Sequence, residues 1–123
     1  MTVKLIDNNL TLDLLHKLQS WPVLLAYFDK AYKNGWKMYV VDQRRGWCRH
    51  NTKTITIPKW CMVDKREGYL QYYVAHELSH IGNPGHGENF MEQLKRLCPP
   101  EYWHYELNYK PRNAAAAGIV APK

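Results

Sequence analysis

The sequence has no long apolar run and no paired cysteines. No segment approaches the ~20 apolar residues of a membrane-spanning helix, and the N-terminal stretch MTVKLIDNNLTLDLLHKL has acidic and polar residues where a signal peptide needs an uninterrupted apolar core. The three cysteines, Cys48, Cys61 and Cys98, are widely spaced and form no CxxC pair, which argues against a zinc ribbon or a redox motif. We therefore expect a soluble cytoplasmic protein with buried free thiols and no membrane association.

The composition is that of one globular domain. Hydrophobic residues make up 46% of the 123 residues and charged residues 23%, which excludes wholesale disorder. A chain of this length can bury one core but not two. We predict a single domain over residues 1–112, followed by a low-complexity tail over residues 113–123 (NAAAAGIVAPK).

The charge and the aromatic content leave the partner open. The formal charge of +6 favours anionic partners, so an association with DNA is possible, but a solvated basic surface explains it equally well. Phenylalanine is scarce, whereas nine Tyr and five Trp supply rings with a polar atom, which suits a core or a binding groove. The oligomeric state is not indicated by the sequence.

The first third of the chain has the pattern of two helices. Residues 10–19 place leucines on one side of a helix, and the Trp-Pro pair at 21–22 ends that helix and can begin the next. The second helix, VLLAYFDKAYK, would end at Asn34 and Gly35, a pair suited to a left-handed C-terminal cap.

Residues 36–57 have a strand pattern. Residues 36–42 alternate between two faces, WCRH forms a second short strand and TITI a third, with QRRG and NTK as turns between them. Because the connections are short, we predict an antiparallel meander. The third strand, Thr54 to Ile57, is either an edge that receives a substrate by strand addition or an ordinary inner strand.

The period becomes helical again from about Arg66. Leu70, Val74, Leu78 and Ile81 form a core stripe on the predicted helix, while Tyr72, His76 and His80 lie on a neighbouring face. The sequence GNPG at 82–85 must end this helix, and residues 88–97 predict another one that stops at Pro99 and Pro100.

The string HELSH at residues 76–80 predicts a metal site. On a helix, positions four apart lie about one turn from each other on one side, so His76 and His80 can bind one Zn²⁺ ion. Glu77 follows the first histidine, where a carboxylate acts as the general base on a water that zinc acidifies. A chance HExxH string is the alternative, but the predicted helix, the sharp turn and a further histidine all favour one zinc ion per chain.

A catalytic zinc needs a third protein ligand and one open position. His86 is the preferred candidate because the glycine-rich loop turns the chain back at the end of the helix, and Glu88 and Glu92 are the alternatives. His16, His50 and His104 are interpreted as ordinary surface or hydrogen-bonded histidines.

The block YVAHELSHIGNPGHGENF resembles the SprT-like zinc metallopeptidases, whose pattern is HExxH, a variable loop, then His-Gly and, after two further residues, Phe. His86, Gly87 and Phe90 match the second part of that pattern. The resemblance covers roughly residues 36–98. It implies an α+β fold of the small zincin-like, minigluzincin type, with a three-stranded, mainly antiparallel sheet packed on helices that include the HExxH helix.

The loop departs from a second family with the same histidine spacing. Metzincins have HExxHxxGxxH, and their glycine falls here on Asn83. No Met-turn is evident downstream, which favours the SprT-like reading. The C-terminal zinc ribbon of many SprT-like chains is absent, and the compact size resembles versions encoded by bacteriophages, for which the host cytoplasm would be the location.

The resemblance implies a zinc-dependent endopeptidase that acts on proteins or peptides, with DNA-associated proteins as one candidate class of substrate. His76, His80 and His86 would hold the zinc and Glu77 would act as general base; Tyr105, Tyr109 and Arg112 are candidates for steadying the oxyanion.

Two alternatives remain. One is a catalytically silent, zinc-stabilised domain that binds nucleic acid or a host protein, with stacking by Trp60, Tyr69, Tyr72 and Tyr73. The other is a repressor-cleaving peptidase, which a helix-turn-helix would support, and we find none.

Overall fold

A computed structural model of the chain describes residues 6–107. The elements follow in the order α1 (Asn8–Lys17), α2 (Pro22–Lys33), β1 (Lys37–Val41), β2 (Trp47–Arg49), β3 (Thr54–Pro58), α3 (Lys59–Met62), α4 (Tyr69–Ser79), α5 (Glu88–Leu97) and α6 (His104–Leu107), with 3₁₀ turns at Leu18–Ser20 and Pro100–Tyr102. The predicted tail from residue 113 and the predicted domain boundary at 112 lie outside the described residues.

The two N-terminal helices begin and end where the local sequence provides caps. The Asp7 carboxylate accepts a hydrogen bond from the Leu10 amide (2.9 Å) and so caps α1. Pro22 occupies the first turn of α2, where its missing N–H costs nothing. Gly35 follows α2 with a φ of +96°, as the predicted left-handed cap requires. Both predicted helices are therefore confirmed.

The three predicted strands are present, but their order is not that of a meander. β3 lies between β1 and β2 and pairs with β1 in parallel and with β2 antiparallel. The prediction of a mainly antiparallel sheet is therefore corrected to a mixed one, and of the two alternatives for Thr54 to Ile57 the structure has the inner strand and not the edge. The side chains of Ile55 and Ile57 are fully buried, which suits the central position.

The core lies between this sheet and the helices. α4 packs against β3 and α5, and Val74, Ala75 and Leu78 on α4 have no exposed surface. Leu70 and Ile81, the outer members of the predicted stripe, are half-buried at its two ends. This architecture is the small α+β, zincin-like fold that the sequence predicts.

No helix among residues 6–107 has the length and apolar character that crossing a bilayer requires. The three thiols of the described part of the chain are free, with Cys61 and Cys98 buried and Cys48 half-buried. The expectation of free thiols is thus confirmed.

Candidate metal centre

Two histidines of the candidate site lie one turn apart on α4. His76 is buried within the last two turns of the helix, and His80 is the residue at which the helix ends. Their ring centroids are 5.0 Å apart. The helical spacing therefore directs both imidazoles to one side of α4, as the sequence predicts.

The loop after α4 fixes the orientation of His80. Gly82 carries the left-handed conformation (φ +81°) that reverses the chain, and the His80 Nδ1 atom lies 2.9 Å from the carbonyl oxygen of Asn83. With Nδ1 donating to that carbonyl, the Nε2 lone pair of His80 is left for a metal.

Asn83 is well suited to the position that is glycine in metzincins. Its side-chain amide donates to the Ser79 carbonyl (3.2 Å), which ties the loop to the helix end. Among the described residues, Lys53 is the one non-glycine residue with a positive φ, so the backbone at Asn83 has no need of glycine. The left-handed turn falls on Gly82 instead.

The third histidine completes a cluster. A ring nitrogen of each of His76, His80 and His86 lies within 4.8 Å of those of the other two. The ring of Phe90, which is 1% exposed, packs against all three imidazoles at centroid distances of 5.1, 4.6 and 4.8 Å. Phe90 therefore gives the HGxxF pattern a physical role, since it forms the apolar floor of the cluster.

A carboxylate that the sequence interpretation missed contacts the first histidine. Glu106, on α6, has an oxygen 2.7 Å from His76 Nδ1, and the same oxygen accepts a hydrogen bond from the Tyr72 hydroxyl (2.8 Å). Burial alone would raise the pKa of Glu106, but the hydrogen bonds from His76 and Tyr72 lower it overall. An ionised carboxylate can only accept, so His76 Nδ1 is the donor.

Glu77 directly follows His76 on α4 and is buried. It is 6% exposed, and burial raises the pKa of its carboxyl to about 7, against a lowering effect of His76 and with a smaller raising effect of Glu106. A carboxyl with a pKa near neutrality can both accept and return a proton at physiological pH.

The donor set fits a catalytic metal ion. Burial lowers the pKa of His80 to about 4 and also lowers the pKa of His86, so both imidazoles are neutral at pH 7, the form that binds metals. Three imidazole nitrogens and one open position are a known ligand set of catalytic zinc. The residues present therefore suit the ion that the sequence predicts.

The chain matches the family model described as YgjP-like, metallopeptidase domain, over residues 7–108. The chain belongs to the YgjP-like family. This match confirms the resemblance to SprT-like metallopeptidases and supports a metal-dependent peptidase. No curated protein and no solved structure gives a significant match.

Glu88 and Glu92, the alternatives to His86 as third ligand, are not part of the histidine cluster of this YgjP-like domain. Glu88 and Glu92 are exposed on α5, and the group of potential ligands found among the described residues consists of the three histidines. The geometry thus favours His86, and its role as a ligand stays a prediction.

Tyr105 is the one candidate oxyanion residue that lies among the described residues. The Tyr105 hydroxyl donates to the Glu67 carbonyl (2.7 Å), near the beginning of α4. Tyr109 and Arg112 lie outside the described residues. A role for any of the three in the YgjP-like site stays a prediction.

The three histidines interpreted as ordinary residues contact backbone groups or are exposed. The His50 Nε2 atom lies 2.8 Å from the His80 carbonyl oxygen and 3.1 Å from the Gly82 amide nitrogen, so it joins the end of β2 to the loop after α4. His104 contacts the Glu101 carbonyl at the beginning of α6, and His16 is exposed on α1.

Proposed function

We propose that this YgjP-like domain is a zinc-dependent endopeptidase of the cytoplasm that hydrolyses peptide bonds in protein substrates. The observation that carries the proposal is the convergence of three imidazoles at one end of α4, where Glu77 directly follows His76 and is 6% exposed. A structural zinc site has no need of that carboxylate and usually fills its fourth position with Cys or His.

The ligands in this proposal are His76, His80 and His86. Bound zinc would supply a Lewis acid that polarises the scissile carbonyl and makes an attacking water more acidic. Glu77 accepts the proton of that water at a carboxylate oxygen and then donates it to the nitrogen of the leaving amine. One residue thus acts first as base and then as acid.

The edge of the sheet beside the site is β2, whereas Thr54 to Ile57 form the inner strand β3. At its beginning, the Gly46 amide donates to the Tyr73 hydroxyl (3.0 Å), and just after its end His50 contacts the His80 carbonyl. β2 therefore runs alongside α4 from Tyr73 to His80, past Glu77. A substrate segment that pairs with the open edge of β2 would lie next to the three histidines.

The alternative, a silent zinc-stabilised binding domain, has less support. Its proposed stacking residues pack against one another: the Trp60 ring lies 5.9 Å from both the Tyr69 and the Tyr73 ring, and Tyr72 is 3% exposed. Tyr rings held in such a cluster have little free face for bases, and Trp60, which is 39% exposed, is the one member with a larger accessible surface. DNA association stays a prediction without a site of its own.

Cleavage by the Glu77→Gln variant tests the function. Denatured proteins are incubated with the zinc-loaded wild type, with wild type plus chelator and with zinc-loaded Glu77→Gln, and new N-termini are identified by mass spectrometry. The wild type should cleave, and the variant should bind zinc but lose at least about 100-fold in rate, because general base catalysis contributes about 10²–10⁴-fold.

The matched control is Glu92→Gln, a charge-neutralising change on the exposed face of α5, which should cleave like the wild type. Cleavage by Glu77→Gln at the wild-type rate would remove Glu77 from the mechanism. Cleavage that survives complete removal of metal would overturn the zinc-dependent function.

A further inference from the structure

A buried pair from outside the HExxH motif contacts the site. We propose that Glu106 and Tyr72 position His76 for the metal and thereby make the C-terminal segment, residues 99–107, an integral part of the centre. This inference rests on the proposed function, since it concerns the same metal site. Glu106 is a positioning residue in it, because it acts on the metal through His76.

The geometry of the pair is specific. The side chains of His76 and Glu106 are 9% and 8% exposed, and their hydrogen bond of 2.7 Å is in the range of charge-assisted bonds. Tyr72, one turn before His76 on α4, donates to the same oxygen of Glu106 at 2.8 Å. Two donors on one helix therefore fix one carboxylate oxygen from a different element.

The consequence for His76 follows from imidazole chemistry. A proton held on Nδ1 leaves the lone pair on Nε2, and the hydrogen bond also makes that nitrogen more basic. Without the carboxylate, the ring would exchange between two tautomers, and only the one protonated at Nδ1 carries the Nε2 lone pair that a metal needs. Glu106 thus stabilises the tautomer and orientation that a metal requires.

The contact also joins the end of the described chain to the site. α6 has four residues, too few for a helix that is stable alone. The contacts that hold it and the residue before it include the Tyr105 hydroxyl to the Glu67 carbonyl (2.7 Å), the Trp103 indole to the Cys98 carbonyl (2.7 Å), the packing of the Tyr105 ring on Tyr69 and Tyr72, and Glu106 to α4. Glu106 is the member of this set that reaches the histidines.

Coupling between the metal and this segment must be reciprocal. Whatever free energy a docked Glu106 adds to zinc binding, bound zinc adds to the docking of α6. Zinc should therefore protect the amides of residues 104–107 from hydrogen exchange in the wild type, and should protect them less when Glu106 is neutralised.

The first test is the zinc affinity of Glu106→Gln, measured by competition with a chromophoric chelator. Glutamine keeps the size of the side chain but removes its charge, so the affinity should fall about 10–100-fold, the usual effect of losing such a partner. Tyr72→Phe, which removes one donor to Glu106, should give a smaller loss. Glu101→Gln, an exposed change in the same segment, is the matched control and should bind zinc like the wild type.

The second test separates positioning from general stability. In metal-free protein, nitrogen-15 NMR should show His76 protonated at Nδ1 in the wild type and in Glu101→Gln, and a mixture of tautomers in Glu106→Gln. A carboxylate with a merely structural role would lower the free energy of unfolding but leave the tautomer unchanged.

The outcomes distinguish this inference from the function on which it rests. A wild type that binds no zinc overturns both. A wild type that binds zinc, together with a Glu106→Gln variant of equal affinity and equal His76 tautomer, overturns the positioning role alone. Native urea-unfolding curves of each variant exclude misfolding as the cause of a loss.

Discussion

At the scale of single residues, the candidate centre combines side chains placed by one helix with a side chain placed by a distant segment. His76, Glu77 and His80 lie at the end of α4, where the helical spacing determines their positions, so the sequence indicates them. The sequence also indicates His86, because a short loop in which Gly82 reverses the chain connects it to the helix. The sequence does not indicate Glu106, because this residue lies 30 residues from His76 within the aromatic run EYWHYELNY. Contacts between distant segments depend on packing, which a local pattern does not encode.

The cysteines lead to a prediction about pH. Burial raises the pKa of the Cys48 and Cys98 thiols from 9.0 to about 12, with nearby acidic groups adding to the effect, and it also raises that of Cys61. Thiols of the unfolded chain ionise near pH 9, whereas the native thiols keep their protons. The native state therefore binds more protons above pH 9, and the free energy of unfolding should fall as the pH rises from 9 towards 12.

Urea unfolding at about pH 8 and about pH 10.5, with a chelator in every sample, measures this effect. Cys98→Ser is the control, because serine does not titrate in this range, and its stability should depend less on pH than that of the wild type. An unchanged pH dependence in Cys98→Ser would show that the thiol does not contribute.

At the scale of elements, periodicity predicted α1, α2, α4, α5 and the three strands, but neither the short helices α3 and α6 nor the strand order. Alternation and helical spacing identify an element from its own residues. The short QRRG connection suggested a hairpin of β1 and β2, yet this turn is held by other elements: the Trp60 indole donates to the Arg44 carbonyl (2.9 Å), and Tyr73 binds Gly46. Because α3 and α4 hold this turn, β3 and not β2 occupies the position next to β1.

Gly46 gives the prediction at this scale. A Cβ atom at this position would lie 2.5 Å from the Thr56 carbonyl oxygen and 2.9 Å from the Tyr73 ring, and the backbone oxygen has little room to yield. Gly46→Ala should lower the free energy of unfolding by about 1–3 kcal/mol, the usual effect of overpacking. Urea unfolding of the metal-free protein measures it.

Gly85→Ala is the matched control, because a Cβ atom there meets nothing within 4 Å and its stability should stay close to that of the wild type. Equal stabilities of Gly46→Ala and Gly85→Ala would contradict the close approach of β2 to β3 and α4. Because the Gly46 contact anchors the beginning of β2, the same variant should also hold the β2 edge strand less firmly beside the site.

At the scale of the whole molecule, the candidate centre joins parts of the chain that are far apart in sequence. α4 supplies His76 and Glu77, its C-cap is His80, the following loop supplies His86, α5 supplies the Phe90 floor and α6 supplies Glu106. A metal ion bound there would connect these segments and favour the native over the unfolded chain. The fold and the candidate chemistry therefore depend on the same contacts.

The most direct test of this account is the zinc content of the purified protein, measured by mass spectrometry of the metal for wild type, Glu77→Gln and His80→Ala prepared identically. The account predicts about one zinc per chain in the wild type and in Glu77→Gln, because Glu77 is not a ligand, and almost none in His80→Ala. A native wild type without zinc, or a His80→Ala variant that retains the full content, would contradict it.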